Sequence, residues 1–149
     1  MNISKVNLTE KIVAGICINT NNTKAHETIT KLWNEFYNNN IISKIEHKKN
    51  DSLIYGVYSD YDSDINGNYT ITSGVEINRK DIKKYNPVVI KKGKYILFEQ
   101  DGKLPKVVAD TWIQIWKYFE EYKDIKRRYQ SDFEVYENDN NIKIYIGIK

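Results

Sequence analysis

The chain has 149 residues but only one Cys, two Pro and one Met. The single Cys17 excludes an internal disulfide framework, which favours a reducing compartment. No apolar run is long enough to span a bilayer, and the first seven residues lack the apolar segment of a secretory signal. The sequence therefore predicts a cytoplasmic protein without a membrane contact.

The chain also lacks a strong excess of one charge, since 23 basic residues face 20 acidic ones and the net charge is +3. Nucleic-acid-binding domains concentrate their positive charge more strongly. The short basic runs are interleaved with acidic residues, so we interpret them as solvated faces. We predict no direct nucleic-acid partner, with Lys126–Arg128 as the alternative contact to a nucleic acid or an acidic protein.

Metal ligands are scarce as well. Cys17, His26 and His47 cannot form a closed zinc site without carboxylate ligands. The segment 62–67 resembles the first half of an EF-hand loop, but Ser73 stands where that loop needs a bidentate Glu. The Asn-Gly pair of this segment is instead typical of a hairpin turn. We therefore predict neither a metal ion nor a cofactor.

Aromatic residues are abundant, with 12 Tyr and 3 Trp among them. A hydrophobic fraction of 40% is sufficient for one domain with a substantial core. Tyrosine is favoured in β-sheets, which is the simpler explanation of its number. Because its ring is apolar and its hydroxyl polar, tyrosine is also well suited to line a binding pocket.

The hydrophobic pattern predicts the order β-α-β-β twice. Helical spacing of apolar residues indicates helices at 24–38 and 104–122. Runs rich in β-branched and aromatic residues indicate strands at 10–19, 52–59, 69–77, 94–99, 131–136 and 142–148, with a short strand expected at 88–90. The first unit thus covers about 10–78 and the second about 87–149 of a single domain.

Two such units predict an α+β fold in which both helices cover one face of an antiparallel sheet. Each helix presents bulky aromatic residues on its apolar face: Trp33 and Phe36 on the first, Trp112 and Trp116 on the second. A cleft between the helices would be lined by these rings and, from the expected facing of the strands, by Tyr55 and Tyr69. The alternative is that the rings simply fill the core.

Glu134 lies in an otherwise apolar strand, where alternate side chains share a face, so it points the same way as Tyr136. One interpretation is an exposed glutamate on an edge strand. The other is a carboxylate at the floor of an aromatic pocket, where desolvation raises its pKa and favours a cationic ligand.

Several segments, spread over most of the chain, carry a family resemblance. In chain order they are Gly74–Ile77, Lys92–Phe98 followed by Gly102, Leu104-Pro105 ahead of Trp112 and Trp116, Asp132–Tyr136, and Ile144–Lys149. With these features the chain resembles the GyrI-like, or AraC-type, effector-binding domains of bacterial transcription activators. The resemblance implies a duplicated β-α-β-β fold with a ligand cleft on its pseudo-two-fold axis.

In multidrug-responsive members of that family, the glutamate matching Glu134 meets lipophilic cations, and Trp112 and Trp116 match aromatic positions of the second helix. No helix-turn-helix precedes residue 10, so we expect an effector-binding domain without its own DNA-binding region, which acts as a sensor or sequestering protein. Two alternatives stay open. One is a hydrolase of strained electrophiles that uses Glu134, with Glu76 or Glu99 sharing the cleft. The other is a protein-interaction module such as a gyrase inhibitor.

Overall fold

The computed structural model describes residues 1–149 and contains eight strands and three helices. The first half of the chain forms β1 (Asn2–Leu8), β2 (Lys11–Thr20), α1 (Ala25–Asn38), α2 (Ile41–Lys44), β3 (Ile54–Ser59) and β4 (Tyr69–Glu76). The second half forms β5 (Val88–Ile90), β6 (Gly93–Asp101), α3 (Lys106–Glu121), β7 (Arg127–Tyr136) and β8 (Asn141–Ile148).

All eight strands form one sheet in the order β1-β6-β8-β7-β3-β4-β2-β5, and every neighbouring pair is antiparallel. The six inner strands belong to two equivalent units, β2-α1-β3-β4 and β6-α3-β7-β8. The units meet where β3 pairs with β7, and there Gly56 lies opposite Glu134. The predicted α+β fold with duplicated units is confirmed.

Both long helices pack on the same face of the sheet, as predicted. Helix α1 buries Phe36 completely in a cluster with Ala14 and Val75 of β2 and β4. Helix α3 buries Ile115 against Phe98 of β6 and its β8 neighbours. Because each helix covers the sheet of its own unit, a space is left between the helices above the β3–β7 junction.

The opposite face of the sheet buries a second cluster because the sheet curls on itself. Phe133 stacks on Tyr145 with ring centroids 4.5 Å apart, and Tyr55 lies 5.9 Å from Phe133. The expectation that Tyr55 faces the helices is therefore wrong. Tyr55 alternates with Gly56 along β3, and it is Gly56 that faces the helices.

Two elements differ from the expected pattern. Strand β1 pairs with β6 at the edge of the sheet, and its side chains are mostly exposed, so no buried face marked it in the sequence. Strand β7 begins at Arg127 rather than at Ser131, and an irregularity between Arg127 and Asp132 interrupts its pairing with β8. No helix is both long and apolar enough to cross a membrane.

Candidate functional site

A cavity of about 610 Å³ lies between α1 and α3 above the β3–β7 junction. Its walls come from both helices, from the sheet, and from the loop between β3 and β4. Aromatic side chains dominate the lining: Trp33, Tyr37, Tyr58, Tyr61, Tyr69, Trp112, Trp116, Tyr129 and Tyr136. All three Trp residues of the chain are among them.

Glu134 lies at the floor of this cavity and is only 1% exposed. Its carboxylate accepts three hydrogen bonds from three different elements. The Tyr58 hydroxyl and the Trp112 indole N–H donate to Oε2 at 2.8 and 2.7 Å. The Tyr136 hydroxyl donates to Oε1 at 2.6 Å. The interpretation of Glu134 as an exposed edge-strand residue is therefore wrong.

No cationic side chain pairs with Glu134, although the protein has several ion pairs elsewhere. Burial raises the pKa of Glu134, while the hydrogen bonds from Tyr136, Trp112 and Tyr58 lower it, and burial prevails. Burial and the nearby carboxylate also raise the pKa values of Tyr58 and Tyr136 well above 10, so both phenols remain protonated donors. The cavity floor thus presents a carboxylate that has neutral donors but no countercharge.

Gly56 provides the space for this carboxylate. A Cβ atom at Gly56 would lie 2.9 Å from Oε1 of Glu134 and 3.2 Å from Cζ2 of Trp33. Any larger residue would therefore push against both side chains. The sequence analysis missed this role, although a glycine inside a strand often marks a close approach of this kind.

Aromatic contacts hold the cavity walls against the floor. The Trp33 ring meets Tyr136 edge to face at 5.3 Å, and the Trp112 ring meets Tyr58 edge to face at 5.1 Å. Trp116 continues the wall 6.3 Å from Trp112. These arrangements lie within the range that aromatic pairs prefer, so the rings have defined positions before a ligand arrives.

The structure brings six of the eight predicted site residues together at one cavity: Glu134, Trp112, Trp116, Trp33, Tyr69 and Tyr136. Tyr69 donates from its hydroxyl to Asn22 at 3.0 Å, and burial raises its pKa to about 12.

Two predicted site residues do not line the cavity. Tyr55 lies on the other face of the sheet. Phe36 is on the apolar side of α1 but points into the core beneath Trp33, with ring centroids 5.5 Å apart. Helical periodicity alone could not separate the rim of the apolar stripe from its centre.

The carboxylates that were considered as partners of Glu134 also lie outside the cavity lining. Glu76 forms ion pairs with Lys49 at 2.9 Å and with Lys11 at 3.8 Å. Glu99 lies on β6, paired with Asn2 and Lys143 of the neighbouring strands. Neither is placed to share an acid–base step with Glu134.

The sequence analysis missed a second buried charged group at the cavity. Arg127 lines the cavity, and its Nη2 donates to Oδ2 of Asp132 at 2.8 Å. Their side chains are 7% and 0% exposed. The interpretation of Lys126–Arg128 as a solvated run is wrong for Arg127. Arg127 lies near Asp132 because the strand is irregular between these two residues. Nothing in the sequence predicted this irregularity.

Comparisons with known proteins agree with this architecture. Residues 6–148 match the family described as Cass2, integron-associated effector binding protein. The integron cassette protein VCH_CASS2, from the mobile metagenome of Vibrio cholerae, has 28% identity and a TM-score of 0.84, with 99% of this chain and 95% of that chain covered. SAV2435, solved bound to tetraphenylphosphonium, has the same fold, with 23% identity, a TM-score of 0.84, and 100% and 94% coverage.

Among curated proteins, YobU of Bacillus subtilis (strain 168) is 25% identical over 151 residues, which is 93% of this chain and 92% of YobU. YobU is provisionally named a transcriptional regulator protein. The family match covers nearly the whole sequence and confirms the resemblance found in the sequence. The chain belongs to the Cass2 family of integron-associated effector binding proteins.

Proposed function

We propose that the protein binds lipophilic cations in the cavity between α1 and α3, with Glu134 as the countercharge, and acts as a sensor or sequestering protein. One observation carries the proposal: Glu134 is buried, accepts three hydrogen bonds and has no cationic partner in the protein. A buried charge is costly unless an opposite charge accompanies it. A bound cation supplies that charge.

The aromatic lining gives the cation its other contacts. A cation over an aromatic face gains roughly 0.5–2 kcal/mol, and the rings also bury the apolar groups of the ligand. Direct contact with the carboxylate adds a charge-assisted contribution. A total of about 8 kcal/mol, which corresponds to micromolar affinity, is a reasonable expectation for such a site.

Relatives provide support of two kinds. SAV2435, which shares the fold, was solved bound to tetraphenylphosphonium, a lipophilic cation. YobU is provisionally named a transcriptional regulator. An effector-binding protein of this family that responds to lipophilic cations would fit a role in sensing or sequestering them.

The test is a titration with tetraphenylphosphonium, monitored through Trp fluorescence, in wild type and in Glu134→Gln. All three Trp residues line the cavity, so saturable quenching reports on this site. We expect Glu134→Gln to weaken binding at least tenfold, about 1.4 kcal/mol, because the countercharge is lost. Glu99→Gln, a strand carboxylate outside the cavity, is the matched control and should leave affinity unchanged.

A pair of shape-matched ligands isolates the charge. An arylmethyl-trimethylammonium ion and its neutral tert-butyl counterpart have nearly the same shape. Glu134→Gln should weaken the ammonium ion strongly and the neutral compound less than about threefold. Equal losses for both compounds would show that Glu134 only maintains the shape of the cavity, and the proposal would fail.

A further inference from the structure

Arg127 gives the cavity a second buried charged group, and the function described above does not use it. Arg127 belongs to the cavity lining, yet its side chain is only 7% exposed. A long cationic side chain is rarely buried to this degree unless it is paired. Here Asp132 provides the pairing, so Arg127 is a built feature of the site rather than a surface residue that touches the rim.

The position of Arg127 is fixed from several directions. Asp132 holds Nη2 and is itself held by the Tyr61 hydroxyl at 2.5 Å and by the Gly147 backbone N–H at 2.8 Å. The guanidinium carbon lies 4.3 Å from the centroid of the Tyr129 ring, in cation–π contact. Tyr129 has φ of 54° within the irregular part of β7. The chain thus departs from regular strand geometry at the point where it places Arg127, as bulges near functional sites often do.

Most donors of this guanidinium have no partner in the protein. An arginine carries five N–H donors, and Arg127 uses only Nη2 for a hydrogen bond. Nε is fully buried without a partner. Nη1 also has no hydrogen-bond partner in the protein and is not fully buried, and Arg127 is one of the residues that line the cavity. An unpaired arginine donor at the wall of an apolar cavity favours a ligand that brings an acceptor.

The charges nearby determine which acceptor fits. Asp132 already neutralises Arg127. Glu134 lies two residues beyond Asp132 along β7, so at strand spacing the Cα atoms of these two residues are roughly 7 Å apart. A carboxylate on the ligand would therefore gain little net attraction from Arg127 and would be repelled by Glu134. A neutral carbonyl oxygen avoids this repulsion and still accepts a hydrogen bond from Nη1.

We propose that Arg127 forms an acceptor subsite of the cavity, so that the preferred ligands are lipophilic cations that also carry a neutral carbonyl group within about 10 Å of the positive centre. This inference rests on the proposed function, since Glu134 binds the positive end of the same ligand. Arg127 then determines specificity among cations, whereas Glu134 determines the preference for cations over neutral compounds.

Two matched probes test the proposal in the wild-type protein. Both are tetraphenylphosphonium ions with a substituent at one para position: an acetyl group in the first and an isopropenyl group of nearly the same shape in the second. A hydrogen bond to a charged donor should make the acetyl compound bind about tenfold more tightly. Equal affinity for the two probes would overturn the acceptor subsite and leave the proposed function intact.

Variants then assign the preference to Arg127. Arg127→Lys keeps the charge beside Asp132 but loses the fork of donors, so the tenfold preference should fall to about twofold. The double variant Arg127→Met with Asp132→Asn removes both charges together and retains an acceptor for the Gly147 N–H, which guards against a folding defect in the first variant. A preference that persists in a folded variant would refute the role of Arg127.

The unsubstituted tetraphenylphosphonium ion separates the two proposals. It carries no acceptor, so its affinity for wild type tests the proposed function without the acceptor subsite. If none of the three phosphonium ions binds wild type, the proposed function fails and the acceptor subsite fails with it. If all three bind and the acetyl compound is not preferred, only the acceptor subsite fails.

Discussion

Replacing Tyr136 by Phe should shift the pH dependence of cation binding in a direction that the structure fixes. The Tyr136 hydroxyl donates to Oε1 of Glu134 at 2.6 Å and is one of three donors that favour the ionised carboxylate. Without this hydrogen bond, fewer interactions counteract the effect of burial, so the pKa of Glu134 should rise further. The proposed cation binding needs the ionised carboxylate, so as the pH falls the variant should lose affinity for the cation at a higher pH than wild type does.

The magnitude follows from the strength of one hydrogen bond to a charged group. Such a bond contributes about 1.5–3 kcal/mol, and one pKa unit corresponds to about 1.4 kcal/mol. We therefore expect the pKa of Glu134 to rise by about 1–2 units. The lower end applies if a water molecule in the cavity replaces the lost donor.

The assay is the dissociation constant of tetraphenylphosphonium, measured by Trp fluorescence at a series of pH values. The charge of this ligand does not titrate, so a midpoint in the pH dependence belongs to the protein. Tyr69→Phe is the matched control, because Tyr69 lines the same cavity but donates to Asn22 rather than to Glu134. A midpoint in Tyr136→Phe that is unchanged, or lower than in wild type, would refute the reasoning.

Three further predictions concern Gly56, Phe36 and the pH dependence of stability. Gly56→Ala should weaken tetraphenylphosphonium at least tenfold, since its Cβ would meet Oε1 of Glu134 at 2.9 Å; titration showing wild-type affinity would contradict this. Phe36→Ala should lower the free energy of unfolding in urea by about 3–5 kcal/mol, while the folded fraction binds the cation normally. The pKa of Glu134 is raised in the folded protein above its ordinary value of 4.5. The stability that the protonated Glu134 carboxyl contributes is therefore fully present below pH 4.5 and is lost as the pH rises through the raised pKa. Wild type should therefore lose stability relative to Glu134→Gln across that window, and the opposite trend in urea unfolding would contradict the assignment.

The sequence allowed prediction of the features that depend on periodicity. Apolar stripes marked α1 and α3, and alternation along β7 correctly put Glu134 and Tyr136 on one face. The duplicated order of elements then implied that the two helices cover one face of the sheet. These features depend on local hydrophobic patterns and on simple packing rules, so they can be predicted from a single sequence.

Other features depend on register and on irregular backbone, which leave weak traces in a sequence. The assignment of Tyr55 to the cavity was wrong by one residue, and in a strand a shift of one residue reverses the face. Arg127 reaches Asp132 only because pairing between β7 and β8 is interrupted. The three donors to Glu134 come from β3, α3 and β7, so their convergence depends on tertiary packing that no local segment encodes.

The neutral donors around Glu134 provide a physical basis for the proposed preference for cations. A lysine beside Glu134 would have formed a buried ion pair, and the site would then have had no net charge to offer. Tyr58, Trp112 and Tyr136 instead stabilise the carboxylate without neutralising it. Arg127 does not compensate it either, because its charge is matched by Asp132. The charge of Glu134 therefore stays uncompensated by any cationic side chain. At 4 Å, in surroundings of intermediate polarity, that charge attracts a monocation by roughly 4 kcal/mol. A neutral ligand of the same shape gains none of this energy, so the charge of Glu134 alone is sufficient for the proposed discrimination.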